Sequence, residues 1–360
     1  MRRRLVSQLL ASALLAAAVI PLASPVAAQA LPMVAKAADA PTGPMTTEEQ
    51  RATLEDLAQQ LQDNFVFPDV ADRYAAMLRA NAKSGAYADA TDPKAFAVRV
   101  TADLQAVSKD GHLRVTIAEE RGLPADLRTK DAAPRVDSMG LEETKMIGDV
   151  AYLRFTLFPE DPKVAAAARD FLLAHQDAKA VIIDARKHHG GGLSVMDAFL
   201  PLLYAKTTML VRMDTRASAA GDEPPPFKSL RLQPSDKTVA RFDQYVEPDA
   251  AHTGLQHVPV YYLTAHYTAS AAEHLAFVFK RTHRAVLVGE TTRGAGHFGG
   301  VIPIGKRFAA FIPVGRTYDP DTNLDWEGVG VKPDVDVPAD QAPDKALDLA
   351  RQAGAHPNAQ

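Results

Sequence analysis

Val258-Pro259-Val260-Tyr261-Tyr262-Leu263 is followed by Tyr267-Thr268-Ala269-Ser270-Ala271-Ala272-Glu273, an apolar helical pattern to Arg281, and Ala285-Val286-Leu287-Val288-Gly289. Two short apolar runs rich in β-branched and aromatic residues, separated by one amphipathic stretch, predict a strand–helix–strand unit. Upstream, Ala180-Val181-Ile182-Ile183-Asp184 repeats the theme, after a strand at 150–155 and a helix at 164–175. Another helix runs from about Leu193 to Leu203. Runs this apolar have no solvent face to offer, so the strands belong to a sheet covered on both sides, in an α/β core.

Working outward, the first part of the chain is helical. Thr46-Thr47-Glu48-Glu49 places acids in a first turn, and Leu54, Leu57, Leu61 and Phe65 recur at three- and four-residue spacing. Helices at 70–84 and 93–107 complete a small unit, and 112–117 alternates as a strand after Gly111. Residues 118–150 are polar and poorly patterned, with room for one or two short strands. Residues 216–248, with Glu223-Pro224-Pro225-Pro226, read as a long loop or lid-like insertion. The expected division is a signal peptide at 1–28, a linker at 29–45, an N-terminal helical domain at 46–111, an α/β core at 112–340 and a tail at 341–360.

The signal rests on three regions in order. Arg2, Arg3 and Arg4 precede the apolar run 9–20, and the small residues of Ala23-Ser24-Pro25-Val26-Ala27-Ala28-Gln29-Ala30 follow, predicting cleavage near Ala28 or Ala30. The run is too short to span ~30 Å of hydrocarbon. A periplasmic or secreted protein with no stable membrane span is the expectation. Cleavage after Ala28 would remove three arginines and no acid, taking the formal charge from −4 to −7. A chain that is 47% apolar with this charge is neither disordered nor a basic nucleic-acid binder. It contains no cysteine, which excludes disulfides, thiolate metal sites and a cysteine nucleophile.

Four stretches offer chemistry. Ser270 stands where a strand ends and a helix begins, the place where α/β proteins put ligands and where free N–H groups can hold an oxyanion. With Glu273 three residues on, the same serine reads more readily, on local pattern alone, as a helix cap, the commoner role. It is not a Gly-x-Ser-x-Gly elbow. Asp184-Ala185-Arg186-Lys187-His188-His189-Gly190-Gly191-Gly192 brings backbone N–H groups close to a ligand or forms a plain turn; neither phosphate-loop pattern is present. Adjacent histidines seldom converge on one ion and no His-Glu-x-x-His occurs, so no metal and no cofactor is expected. Asp110-Gly111-His112-Leu113 delivers a histidine at a strand start, although His266 and His297 lie nearer Ser270 in sequence. Trp326-Glu327-Gly328-Val329-Gly330-Val331-Lys332-Pro333-Asp334 carries a glutamate that would, alone, be called a surface acid.

In this order the four stretches resemble peptidase family S41, which includes tail-specific (C-terminal processing) proteases, the tricorn core protease and the interphotoreceptor retinoid-binding protein modules. The likeness runs from Thr47 to Val337. Asn64-Phe65-Val66-Phe67-Pro68, Ser84-Gly85-Ala86-Tyr87 and Thr101-Ala102-Asp103-Leu104 are similar to the retinoid-binding-protein-like branch. The resemblance implies a crotonase-like (ClpP-like) α/β core with a small N-terminal helical domain, and a serine peptidase acting on peptide or protein substrates. Carried over by motif, Ser270 is the nucleophile, His112 the general base and Glu327 its orienting acid. The oxyanion donors would be the N–H groups of Ala271, Gly190 and Gly191. Four departures stand out: no lysine lies between Lys280 and Lys306, where the tail-specific branch has its base; Gly111 replaces a serine before the base; His188 replaces an asparagine common before the glycine loop; and 118–150 is too short for a PDZ domain. The other readings are a non-catalytic binding module for a hydrophobic ligand and an esterase of small substrates.

Overall fold

The computed structural model describes residues 43–118, 140–220 and 227–355. The expected signal peptide, the linker up to residue 42 and residues 119–139 lie outside the described residues.

Three helices come first: α1 (Thr47–Asn64), α2 (Pro68–Ser84) and α3 (Pro93–Val107). Their ends are written locally. Thr46 Oγ1 accepts the Glu49 N–H at 3.1 Å, Asp92 accepts the Ala95 N–H at 2.8 Å, and prolines open α2 and α3. Gly85 closes α2 in the left-handed conformation that glycine adopts without strain. The inward stripe of Leu54, Leu57 and Leu61, with Tyr74 and Phe96, packs against Leu113, Val115, Phe308 and Ile312. The helical unit therefore shares its core with a sheet.

That sheet has six strands: β1 (Arg114–Ile117), β5 (Thr208–Arg216), β6 (Leu230–Gln233), β7 (Val239–Val246), β10 (His297–Ile304) and β11 (Phe308–Tyr318). It is antiparallel in the order β1-β11-β5-β7-β6, with β10 also on β11. The second sheet comprises β2 (Leu141–Ile147), β3 (Val150–Phe155), β4 (Ala180–Asp184), β8 (Val260–Thr264), β9 (Val286–Gly289) and β12 (Val335–Asp336). Its order is β12-β9-β8-β4-β3-β2, parallel except for the β2–β3 pair. Every residue of β4 and β8 is buried, as their unbroken apolar runs require. On one face lie α4 (Pro162–Ala174), α5 (Ser194–Phe199) and α7 (Ala271–Thr282); on the other lies α8 (Ala342–Ala355).

The structure is thus a mixed α/β architecture of two sheets with a helical N-terminal part. Residues 216–248 differ from the expected loop. Apart from 221–226, outside the described residues, they hold a short helix, α6 (Ala217–Ala220), and the β6–β7 pair, which extends the antiparallel sheet from β5. The polar look of β7 has a physical cause: Arg212 lies directly opposite Asp243, and Asp214 opposite Arg241. These pairs close at 2.6 and 2.7 Å, so charges stand at sheet positions that periodicity assigns to loops. Within 341–360, expected as a tail, α8 buries Ala342, Ala346 and Ala350 against Tyr152, Ile182 and Tyr261.

Candidate active site

The β8–α7 turn is fastened before it reaches Ser270. Thr268 Oγ1 donates to Ala185 O at 2.8 Å and accepts the Ala265 N–H at 2.9 Å, and the Ala269 N–H donates to His188 O at 3.0 Å. Ser270 itself is held at φ 58°, ψ −122°, a backbone conformation costly for any residue with a Cβ. An ordinary capping serine is extended and takes an N–H of the first turn on its hydroxyl. Ser270 is not extended. Ser270 and Glu273 form a capping box, in which Glu273 Oε2 accepts the Ser270 N–H at 2.9 Å. The local sequence favours the cap; the structure shows that box together with a backbone that an ordinary cap does not adopt.

Glu273 is fully buried and does more than cap. Its carboxylate also accepts Thr292 Oγ1 (2.6 Å), the Gly294 N–H (2.6 Å) and the Ala295 N–H (2.9 Å). Burial pushes its pKa up, and these donors oppose the rise. Ser270 and the 292–295 segment are thereby tied to one group.

The glycine loop lies against the serine. Gly190 has φ +119°, and a Cβ there would fall 2.7 Å from Ser270 Cβ and 3.1 Å from its Oγ, so only glycine fits. Its N–H donates to His188 Nδ1 at 3.0 Å. Burial drives the pKa of His188 down to about 3, so the ring is neutral and can accept. The N–H groups of Gly191 and Ala271 have no acceptor among the described residues. Of the three expected oxyanion donors, Gly190 is therefore already engaged, while Gly191 and Ala271 are open.

His112 is placed by its turn. Asp110 Oδ1 accepts the N–H groups of His112 (2.9 Å) and Leu113 (3.0 Å), and the ring stacks on Phe311 with centroids 4.9 Å apart. Its Nδ1 is buried without a partner. Burial lowers its pKa to about 4 against the opposing pull of Asp110, and the positive charges of Arg114 and Arg293 lower it further. A neutral imidazole at pH 7 is the form a general base needs.

Glu327 reaches the same turn from the far end of the chain, but not as a partner of the imidazole. Its Oε1 accepts the Gly111 N–H at 2.5 Å, and its Oε2 accepts those of Gly296 (2.6 Å) and His297 (2.9 Å). Donor atoms of Asp110, His112 and Glu327 lie within 4.8 Å of one another. All four carboxylate oxygens of this group already accept N–H hydrogen bonds, so it fits a bonded turn better than a metal cage. Burial raises the pKa of Glu327, with Asp110 adding to the rise.

The two halves of the site meet at 294–295, where a Cβ on Gly111 would lie 3.0 Å from Gly294 O and 3.2 Å from Ala295 Cα. Among the described residues no hydrogen bond joins Ser270 Oγ to His112. Such contacts are often long in a free enzyme and tighten with substrate.

Sequence reasoning missed the role of His297. It is buried, its Nδ1 pairs with Asp110 Oδ2 at 2.7 Å, and its ring meets Phe67 edge-on at 5.3 Å. Burial disfavours its protonation, but the Asp110 hydrogen bond and the charges of Asp110, Glu327 and Asp325 outweigh that and raise its pKa. With a partner 187 residues away, no local signal could have found it. Lys280 bonds Lys332 O (2.7 Å) and Asp334 Oδ1 (2.9 Å) in the last turn of α7, ~15 Å along the helix from Ser270 at 1.5 Å per residue. His266 is exposed.

The model of peptidase family S41 matches residues 149–337, and that of the N-terminal domain of peptidase S41 in eukaryotic IRBP matches residues 44–156. The chain belongs to peptidase family S41. This S41 chain is a serine-type peptidase, and its fold recurs in solved structures. A Parabacteroides merdae protein described as a peptidase is 15% identical with a TM-score of 0.57, over 84% of this chain and 96% of that one. The photosystem II D1 C-terminal processing protease is 16% identical with a TM-score of 0.51, over 84% and 97%. The tricorn protease is 14% identical with a TM-score of 0.51, over 85% of this chain and 37% of its own. At these identities the three support the fold alone.

Proposed function

We propose that this S41 peptidase hydrolyses peptide bonds in peptide or protein substrates by a Ser–His–Glu mechanism on a crotonase-like core. Ser270 attacks the scissile carbonyl, His112 takes the hydroxyl proton and returns it to the leaving amine, and a water then releases the acyl group by the same route. The tetrahedral oxyanion is held by the N–H groups of Ala271, at the positive end of α7, and of Gly191. Gly190 contributes by close approach, its own N–H bracing the loop through His188. Glu327 works on His112 through the backbone of Gly111 and by its charge, which favours the imidazolium as it forms. We further propose export by the N-terminal segment to the periplasm or the outside. No helix among the described residues is long and apolar enough to cross a membrane.

The observation that carries the mechanism is the backbone of Ser270, strained at φ 58° where β8 gives way to α7. The test is labelling with a neutral fluorophosphonate followed by peptide mapping. Adduct on Ser270, absent in Ser270→Ala and slowed at least about a hundredfold in His112→Ala, is the expected result. A folded protein that takes no label and cuts no unfolded substrate would overturn it.

A further inference from the structure

Two carboxylates converge beneath the turn of His112. An oxygen of Asp110, an oxygen of Glu327 and a ring nitrogen of His112 lie within 4.8 Å of one another. The two carboxylates together accept five backbone N–H groups: Asp110 those of His112 and Leu113, Glu327 those of Gly111, Gly296 and His297. Donors of this kind favour the ionised form, so two negative charges are held side by side with little water around them.

Two imidazoles border this pair, and they are not equivalent. His112 stacks on Phe311, and its Nδ1 is buried without a partner. His297 Nδ1 lies 2.7 Å from Asp110 Oδ2 and 3.8 Å from Glu327 Oε2. A proton drawn to the pair therefore settles on His297, where a carboxylate shares it, and not on His112. Other charges around His297 do not replace it. Arg316, opposite on β11, lies 4.0 Å over the Tyr318 ring and turns to Asn323 (3.0 Å) and Asp214 (3.9 Å). Tyr74 donates its hydroxyl to Ser108 O at 2.9 Å, and burial beside Asp110 and Glu327 pushes its pKa up to about 12, so it stays neutral. Arg73 and Lys109 are exposed, and Asp325 adds to the negative field.

We propose that His297 carries the proton that the Asp110–Glu327 pair demands and so keeps His112 neutral, a positioning residue acting on the base through the two carboxylates. Its charge offsets one of the two negatives. The one that remains favours the imidazolium formed when Ser270 gives up its proton, without drawing a proton onto His112 beforehand. Were both left uncompensated, the resting His112 would protonate more readily and lose its use as a base at mildly acid pH. Burial opposes a charge on His297, but the hydrogen bond and charge of Asp110 outweigh it; that charge then adds to burial in holding the pKa of His112 down. This inference rests on His112 acting as the base for Ser270, as assigned above.

The test is His297→Asn, whose amide can donate to Asp110 from the place of Nδ1 but carries no charge. In kcat/KM against pH, its acid limb should lie about one pH unit above that of the wild type, the effect of removing a like charge beside His112. A role confined to the hydrogen bond would leave the limb where it is. A second measurement needs no variant. In the wild type with nitrogen-15-labelled histidine, the two rings are assigned by NMR through their contacts with Phe67 and Phe311. His297 should then titrate above the ordinary value of about 6.5 and His112 below it. An acid limb unmoved in folded His297→Asn, or a His297 that titrates at or below the ordinary value, would overturn this role. Labelling of Ser270 by a neutral fluorophosphonate, slowed in His112→Ala, would in that case leave the mechanism standing. A wild type that neither labels nor cleaves would overturn both.

Discussion

Replacing Ser270 by glycine should make the protein more stable than replacing it by alanine, by more than a helix cap accounts for. At φ 58°, ψ −122° a residue with a Cβ carries backbone strain of about 1–3 kcal/mol, which glycine escapes. Glycine also loosens the unfolded chain, which costs about 0.4–1 kcal/mol. The net advantage of Ser270→Gly over Ser270→Ala is then about 0.5–2 kcal/mol. Glycine outperforms alanine at ordinary caps too, so a reference is needed. Thr46 supplies one, capping α1 from an extended backbone at φ −83°, ψ 157°. The unfolded-chain cost of glycine is common to both positions and cancels, so the glycine–alanine difference at 270 should exceed that at 46 by the strain alone, about 1–3 kcal/mol, or ~1–5 °C in midpoint for a chain of this size. Urea titration and calorimetry at fixed pH read it, and both Ser270 variants should lack peptidase activity. If the two positions give equal differences, or alanine is the better residue at 270, the backbone stores no strain and the argument for a specialised serine fails.

Glu273→Gln sets an amide where four donors converge on a carboxylate, so we expect a loss of about 2–4 kcal/mol of stability. A fall in kcat with KM little changed would follow from loosening the turn that holds Ser270. In kcat/KM against pH, the acid limb should fall near pH 4, where burial places His112, and not near 6.5; a limb at 6.5 would exclude that base. Stability has its own acid limb. The folded chain holds His188 and His274 neutral with pKa values lowered to about 3 and about 4. The unfolded chain binds the extra protons first, so this contribution is present above about pH 6.5 and declines as pH drops toward 3. Urea midpoints between pH 7 and pH 4 measure the decline. Lys280→Ala should keep kcat/KM within about twofold, because its amine serves Lys332 and Asp334 at the wrong end of α7.

The parallel sheet was legible because β4 and β8 carry nothing but buried residues in AVIID and VYYLT. The antiparallel sheet was not, since Asp214, Asp243 and Gln244 are buried polar residues whose partners lie on other strands or on α7. α8 escaped notice because it buries alanines, whose small side chains leave a weak stripe. At the candidate site, Ser270, His112 and Glu327 were assigned through ordered motifs and not through local physics. Local physics favoured a cap, a lone histidine and a surface acid. What no motif carried was the second layer: Glu273 beneath Ser270, His188 bracing Gly190, and the Asp110–His297 pair under the turn of His112.

The contacts that build this site are long ones. Gly111 and Glu327 are 216 residues apart, and Asp110 and His297 are 187 apart. Contacts of such separation close late, after the loops between them have given up their freedom. A growing chain therefore carries Ser270 and His112 before the contacts around them can form. The turn that carries His112 is thus tied down only when segments from both ends of the chain have met around it.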